Sequence, residues 1–257
     1  MHAHKPPMNL VQALRPPRFS ATVVVMLALA TAACSDPTAP RSDSPQHLSS
    51  SFDEASSSMT LNFPVLANAA VTCTDGAITG AVATFQSSPT GSVTRTSCPI
   101  SGTINVGNDD AKQAFNDFLN TYAALAPRSD DVCTTLTGTL AGVTLPPGAY
   151  CFNAAATLTG VLTLDGPSDG IWNFKIGSSG TGALTGTNFS IAMAGGGQSC
   201  NVTWRVADAA TMTTSGFQGN ILAGAAITLT GGTFNGNAWS KADVTITGTS
   251  VSACQSS

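Results

Sequence analysis

The chain has 257 residues, a formal net charge of -4 and only 9% charged residues, against about 25% in an ordinary soluble protein. So few ions, with no stripe among the scattered lysines and arginines, argue against a nucleic-acid binder, and 25 glycines with abundant threonine and serine leave a surface that is small, neutral and hydroxylated. The length suits one large all-β domain with tails.

At the N-terminus, Arg15 and Arg18 precede an apolar run from Ala21 to Ala33 that is too short to cross a bilayer as a mature helix. It ends in small residues, which makes residues 1–34 an export signal. The closing LATAAC looks like a bacterial lipoprotein cleavage site, which implies a lipid on Cys34 and attachment to a membrane. Thr31 stands where leucine is usual, and cleavage after Ala30-Thr31-Ala32 as an ordinary secretory signal is the alternative. Either way the protein is expected to be exported, as a cell-surface or outer-membrane lipoprotein or in secreted form. Residues 35–60 are rich in Ser, Pro and Asp, cannot bury a core, and read as a flexible tether.

From Leu61 onward short apolar runs alternate with Gly, Asn, Asp and Pro, the punctuation of many short strands. One segment differs. Over residues 108–126, Ala111, Ala114, Phe115, Phe118, Leu119 and Tyr122 fall on one face of an amphipathic helix. Asn108 suits its N-cap, Asp109 and Asp110 suit the positive end, and Pro127 stops it. Its polar face, with Asp110, Lys112, Asn116, Asp117 and Asn120, reads as solvated. Such a helix needs an apolar wall, and Leu222 and Trp239 are expected to supply one.

That expectation comes from a repeat. VTWRVADAATMTTSGFQ (202–218), GNILAGAAITLTGGTFN (219–235) and GNAWSKADVTITGTSVS (236–252) align without a gap. A fixed period carrying the same residue class at each step marks a solenoid whose coils bury apolar positions only by stacking. The period is too short for paired helices and suits one β-helix coil. If Ile227 and Leu229 point inward, Thr228 and Thr230 point outward, and the threonines of successive coils stack about 4.8 Å apart with roughly 6.7 Å between i and i+2. Apolar-Thr-Gly steps at Ile78, Leu136, Leu158, Leu184, Leu229 and Ile246 extend the signal across the domain, with irregular loops between the earlier copies.

With Cys34 set aside, Cys73, Cys98, Cys133, Cys151, Cys200 and Cys254 form an even set in an exported chain, which reads as disulfides. Six cysteines allow fifteen pairings. The set 73–98, 133–151 and 200–254 is expected, because each bridge would close a local coil or pin the last one. Enzymatic chemistry has little to work with. His2, His4, His47 and the single glutamate, Glu54, precede the domain, leaving no histidine or glutamate inside it as general base or metal ligand. Asp165, Asp169, Asp208 and Asp243 read as turn aspartates, with Lys175, Arg205 and Lys241 out of line with them. Neither cofactor nor metal is expected, and a glycan lyase would need clustered acids.

FPVLANAAVT from Phe63, the helix from Asp110 to Leu125, VTLPPGAYCF from Val143, GIWNFKIGS from Gly170, CNVTWRV from Cys200 and FQGNILA from Phe217 resemble, in this order, the ice-binding-like β-solenoid family of secreted microbial proteins. The resemblance covers residues 61–254. It implies an irregular right-handed β-helix of triangular cross-section with one long α-helix packed alongside, the N-terminal coil stacking on the C-terminal one. Some members bind ice through a flat face carrying a T-[AG]-x-[TN] step. Thr185 to Asn188 and Thr230 to Thr233 fit it, Thr247 to Ser250 nearly does, while the steps at Thr159 and Thr213 depart from it. A large, regular, uncharged surface suits an extended, regular, uncharged ligand. The expected function is therefore adsorption to ice by a monomer that inhibits ice growth or recrystallisation, through Thr185, Asn188, Thr211, Thr213, Thr228, Thr230, Thr233, Thr245, Thr247 and Ser250. The alternative is a non-catalytic cell-surface structural or adhesion module that binds glycan or protein through the same face.

Overall fold

The computed structural model describes residues 63–254. The segment expected to be an export signal, with Cys34, the expected tether with Glu54, and the three histidines lie outside the described residues.

The chain winds in coils of two or three short parallel strands. The first coil holds β1 (Val65–Ala67), β2 (Ala70–Thr74) and β3 (Ala77–Thr79), and the next holds β4 (Val82–Thr84) and β5 (Ser92–Thr96). After β6 (Ile104–Val106) comes helix α1 (Asp109–Ala124), then β7 (Thr134–Thr135), β8 (Val143–Leu145), β9 (Gly148–Phe152) and β10 (Ala156–Asp165). β11 (Trp172–Ile176) and β12 (Leu184–Ala194) precede a 3₁₀ turn at Ser199–Asn201. The three repeats follow as β13 (Val202–Val206) with β14 (Ala210–Gln218), β15 (Asn220–Ala223) with β16 (Ile227–Asn235), and β17 (Ala238–Ser240) with β18 (Val244–Thr247) and β19 (Ser250–Ser252).

One sheet runs β6-β4-β1-β17-β15-β13-β11-β9-β7, and the second runs β5-β2-β18-β16-β14-β12-β10-β8. The strands of the second sheet turn a corner and so make two faces, which gives the coil three sides. Parallel crossovers of this kind wind right-handed, and the molecule is a right-handed β-helix of triangular cross-section. The strand order also shows that the first and last coils of the solenoid meet. β1 pairs with β17, β2 with β18 and β3 with β19, so the N-terminal coil continues the ladder where the C-terminal coil stops. α1 carries the chain from one end of the stack to the other.

Alternation decides what goes inside. In the second sheet Ile227, Leu229, Val244 and Ile246 are almost wholly buried while the threonines between them are not. On the first sheet the inward column reads Tyr150, Phe174, Trp204, Ile221, Ala238, Val65, Val82 and Ile104. Phe174 and Trp204 stack at 3.8 Å between centroids.

A second core lies outside the coils. Leu222, Trp239, Leu66 and Ala83 form an outward column that is buried under Ala111, Ala114, Phe115, Phe118 and Tyr122 of α1. The expected wall is therefore the real one. Asn108 caps the helix, its side chain accepting the Ala111 N–H at 2.9 Å. Phe118 meets the Trp239 ring edge-on at 6.1 Å, and Trp239 Nε1–H donates to the Phe63 carbonyl at 2.8 Å. α1 has no basic residue in its last turn, and the solenoid supplies cations there: Arg205 and Lys241 lie 4.4 and 3.8 Å from the centroid of the Tyr122 ring. Burial raises the Tyr122 hydroxyl above its ordinary range and lowers the Lys241 ammonium, to which Arg205 adds.

Beyond Arg205 the same column reaches Lys175 and Cys151. Lys175 is buried against Asp131 in an ion pair, and Cys133–Cys151 ties down the segment after the helix. The other bridges are Cys73–Cys98 and Cys200–Cys254, the pairing expected from local closure. Burial alone would raise the Asp131 carboxyl, but hydrogen bonds from Lys175 and the Arg128 N–H, with their charges, hold it below the usual carboxylate range.

Two outcomes follow. Phe118→Ala should cost about 3–5 kcal/mol by opening a cavity under α1, read by chemical denaturation. Asp131→Asn should cost about 3–5 kcal/mol, because it strands a buried ammonium. Since the native Asp131 value is depressed below the unfolded value of about 3.9, the pair stabilises fully above about pH 4 and fades as pH falls through the native value. Melting curves of wild type and Asp131→Asn should therefore differ at pH 6 and draw closer as the pH falls below about 4.

Candidate functional site

The second sheet carries one tetrapeptide pattern, apolar-Thr-x-Thr, on successive rungs. Its register places Thr94, Thr72, Thr245, Thr228, Thr211, Thr185 and Thr157 in one outward column. Thr96, Thr74, Thr247, Thr230, Thr213 and Thr187 form the next. Every one of these threonines is exposed or half-buried, and α1 packs on the other sheet. Neither column contains an ionisable side chain.

Sequence reasoning named Thr185, Thr211, Thr213, Thr228, Thr230, Thr245 and Thr247, and placed Thr157 outward as well, but missed the rungs of β2 and β5. Thr72, Thr74, Thr94 and Thr96 join the columns because β18 pairs with β2, across a sequence gap of 173 residues between Thr245 and Thr72. The signal was present in VTCT at Val71 and VTRT at Val93, which match VTIT at Val244. Thr187 rather than Asn188 stands beside Thr213.

The corner explains which expected residues fall elsewhere. The residue after each second-column threonine is left-handed: Ser97, Asp75, Gly248, Gly231, Thr214 and Asn188 all have φ between 48° and 66°, and Gly160 at 71° bends β10 at the equivalent place. A left-handed residue redirects the chain and ends the flat face. Asn188 is thus a corner residue. Thr233 and Ser250 pair with each other beyond the corner, at the start of the third face, so these three lie off the two columns. The Thr-Gly steps at Thr230 and Thr247 are the last outward position plus the corner that follows it, whereas at Thr185 the step falls earlier on the strand, Gly186 taking the inward position beside Met212 and Asn188 the corner.

Rigidity comes from below and from one side. The inward neighbours Leu158, Met212, Leu229, Ile246 and Cys73 are buried, and Cys73 sits between Thr72 and Thr74 in a disulfide to Cys98 of the neighbouring coil. The carboxylates weighed as catalytic groups do not converge. Asp165 and Asp169 are exposed, Asp208 accepts the Gly182 N–H at 2.7 Å, and Asp243 accepts the Ala70 N–H at 2.9 Å. Lys175 is committed to Asp131, and Arg205 and Lys241 to Tyr122. Among the described residues no group of three or more His, Cys, Asp or Glu could hold a metal ion, and no helix is long and apolar enough to cross a membrane.

A family profile described as ice-binding-like matches residues 65–252, from β1 to β19. The chain belongs to this family. Within it, a relative named ice-binding protein from Nostoc sp. (strain HG1) is 40% identical over 131 residues, 48% of this chain and 45% of the relative. Another of that name, from Flavobacterium frigoris (strain PS1), is 33% identical over 129 residues, 49% of this chain and 40% of the relative. The chain spans about half the length of the curated relatives it matches. The crystal structure of an ice-binding protein from the Antarctic ascomycete Antarctomyces psychrotrophicus superposes with a TM-score of 0.67 at 31% identity, covering 79% of this chain and 97% of that one.

Thr214 is the one β-branched residue at the left-handed corner, with φ 49°, a conformation that costs such side chains roughly 1–2 kcal/mol. Thr214→Asn, which copies Asn188 on the next rung, should stabilise by about 1 kcal/mol and raise the melting temperature by about 2–4 °C. Calorimetry checks this, and a lower melting temperature would contradict the corner assignment.

Proposed function

We propose that this protein adsorbs to ice through the two threonine columns and thereby inhibits ice growth or recrystallisation. The observation that carries this reading is the unbroken outward column of seven threonines from Thr94 to Thr157 with a second beside it. Coils stack about 4.8 Å apart and outward positions along a strand repeat at roughly 6.7 Å, so methyls and hydroxyls alternate over a flat lattice. The methyls restrain neighbouring water and the hydroxyls anchor it. Each contact is weak, but the lattice is held by backbone ladders, so binding has little ordering cost to offset. Membership of the ice-binding-like family and the names of the relatives support the same ligand.

In this reading the protein is not an enzyme and requires no cofactor. One copy presents the whole lattice, so it acts as a monomer. It is exported, with residues 35–60 tethering the solenoid to a lipid on Cys34 or, after ordinary cleavage, leaving it secreted.

The test is uptake into a slowly grown ice hemisphere, together with recrystallisation in a frozen sucrose film. Wild type should be concentrated in the ice and hold crystals small. Replacing Thr230 and Thr247 together by Tyr should reduce both readouts to background with no change in melting temperature, whereas Thr163→Tyr on the third face should leave them intact. Retained uptake in the double variant would mean that another face touches ice. Absence of uptake by wild type would favour the adhesion reading.

A further inference from the structure

The lattice has a border. Two residues before the first threonine of each coil stand Ser92, Ala70, Asp243, Ala226, Ala209, Ala183 and Ala155, and the ladder keeps them in register. Ala70 pairs with Ser92, while the N–H groups of Ala156, Leu184, Ala210 and Ile227 donate to the carbonyls of Ala183, Ala209, Ala226 and Asp243. Six of the seven are small and neutral. Asp243 is exposed and is the only ionisable side chain in this column and the two threonine columns beside it.

Its presence has a structural reason. Asp243 lies where the C-terminal coil meets the N-terminal one, and its Oδ1 accepts the Ala70 N–H at 2.9 Å, stitching together segments that no short turn connects. We propose that Asp243 limits the affinity of the lattice for ice: its charge, and not its hydrogen bond, is the defect in an otherwise neutral border. This rests on the ice-binding reading above. A carboxylate only accepts hydrogen bonds and holds water oriented toward its charge, whereas water in an ice lattice must both donate and accept. Bringing the face against ice either strips that hydration, which is costly for an ion, or leaves a gap beside Thr245 and Thr228.

The two roles separate chemically. Asp243→Asn keeps Oδ1 as the acceptor for Ala70 and removes only the charge. Asp243→Ser keeps a shorter acceptor and provides a second neutral variant. Asp208→Asn is the control, because Asp208 holds the Gly182 N–H at 2.7 Å in the same way but stands outside the three columns. With the full chain, the lowest concentration that stops recrystallisation should fall by roughly an order of magnitude, equivalent to about 1.4 kcal/mol, for Asp243→Asn. Asp243→Ser should move in the same direction and Asp208→Asn should match wild type. Equal or poorer inhibition by Asp243→Asn with an unchanged melting temperature overturns the proposal. So does an equal gain in Asp208→Asn, which would reduce the effect to net charge. An active wild type beside unimproved variants refutes this inference alone, while inactivity of every protein, wild type included, removes the ice reading and this inference with it.

Discussion

The parallel hydrogen-bond ladder between coils is the constraint from which the rest follows. Because each rung pairs residue for residue with the next, a side chain's class is repeated in a column and its spacing is set by the backbone. Apolar columns become a continuous core, outward threonines become a lattice, and a left-handed residue after the second threonine becomes a straight edge. No single threonine defines the face. Its regularity is a property of the ladder, and side-chain chemistry only fills the positions that the ladder provides.

The ladder closes in an unusual order. The first and last coils of the solenoid are neighbours, and the helix must cross the stack to reach the far end before the chain winds back. That crossing explains the helix's composition. Its apolar face lies over Leu66, Ala83, Leu222 and Trp239, residues that face away from the solenoid interior and would otherwise expose a large apolar patch. Where the helix ends, the outward column turns basic at Arg205 and Lys175, and each cation is matched by Tyr122 or Asp131. Composition along one column of the solenoid thus reports what covers it.

The junction of the first and last coils also sets the breadth of the threonine face. Four of its threonines come from coils preceding the helix, the remainder from coils following it, and Asp243 contributes to the join. A lattice assembled from distant parts of the chain depends on the whole fold being formed, and the disulfides at Cys73–Cys98 and Cys200–Cys254 sit close to this junction and its end coils.

Much of this was legible in the sequence. The repeat from Val202 to Ser252 and its alternation determined the β-helix, the inward and outward parity and the outward placing of Leu222 and Trp239, and the spacing from Ala111 to Tyr122 determined the helix at residues 108–126, because these are local properties with a period of two or 3.6. The tertiary structure alone decided the rest. That Thr72 stands beside Thr245, that Asn188, Thr233 and Ser250 fall at or beyond a corner, and that Lys175 meets Asp131 depend on register between segments far apart in the chain and on backbone angles at single residues. Alternation says which side of a strand a residue occupies, but only pairing between strands says which residues become its neighbours.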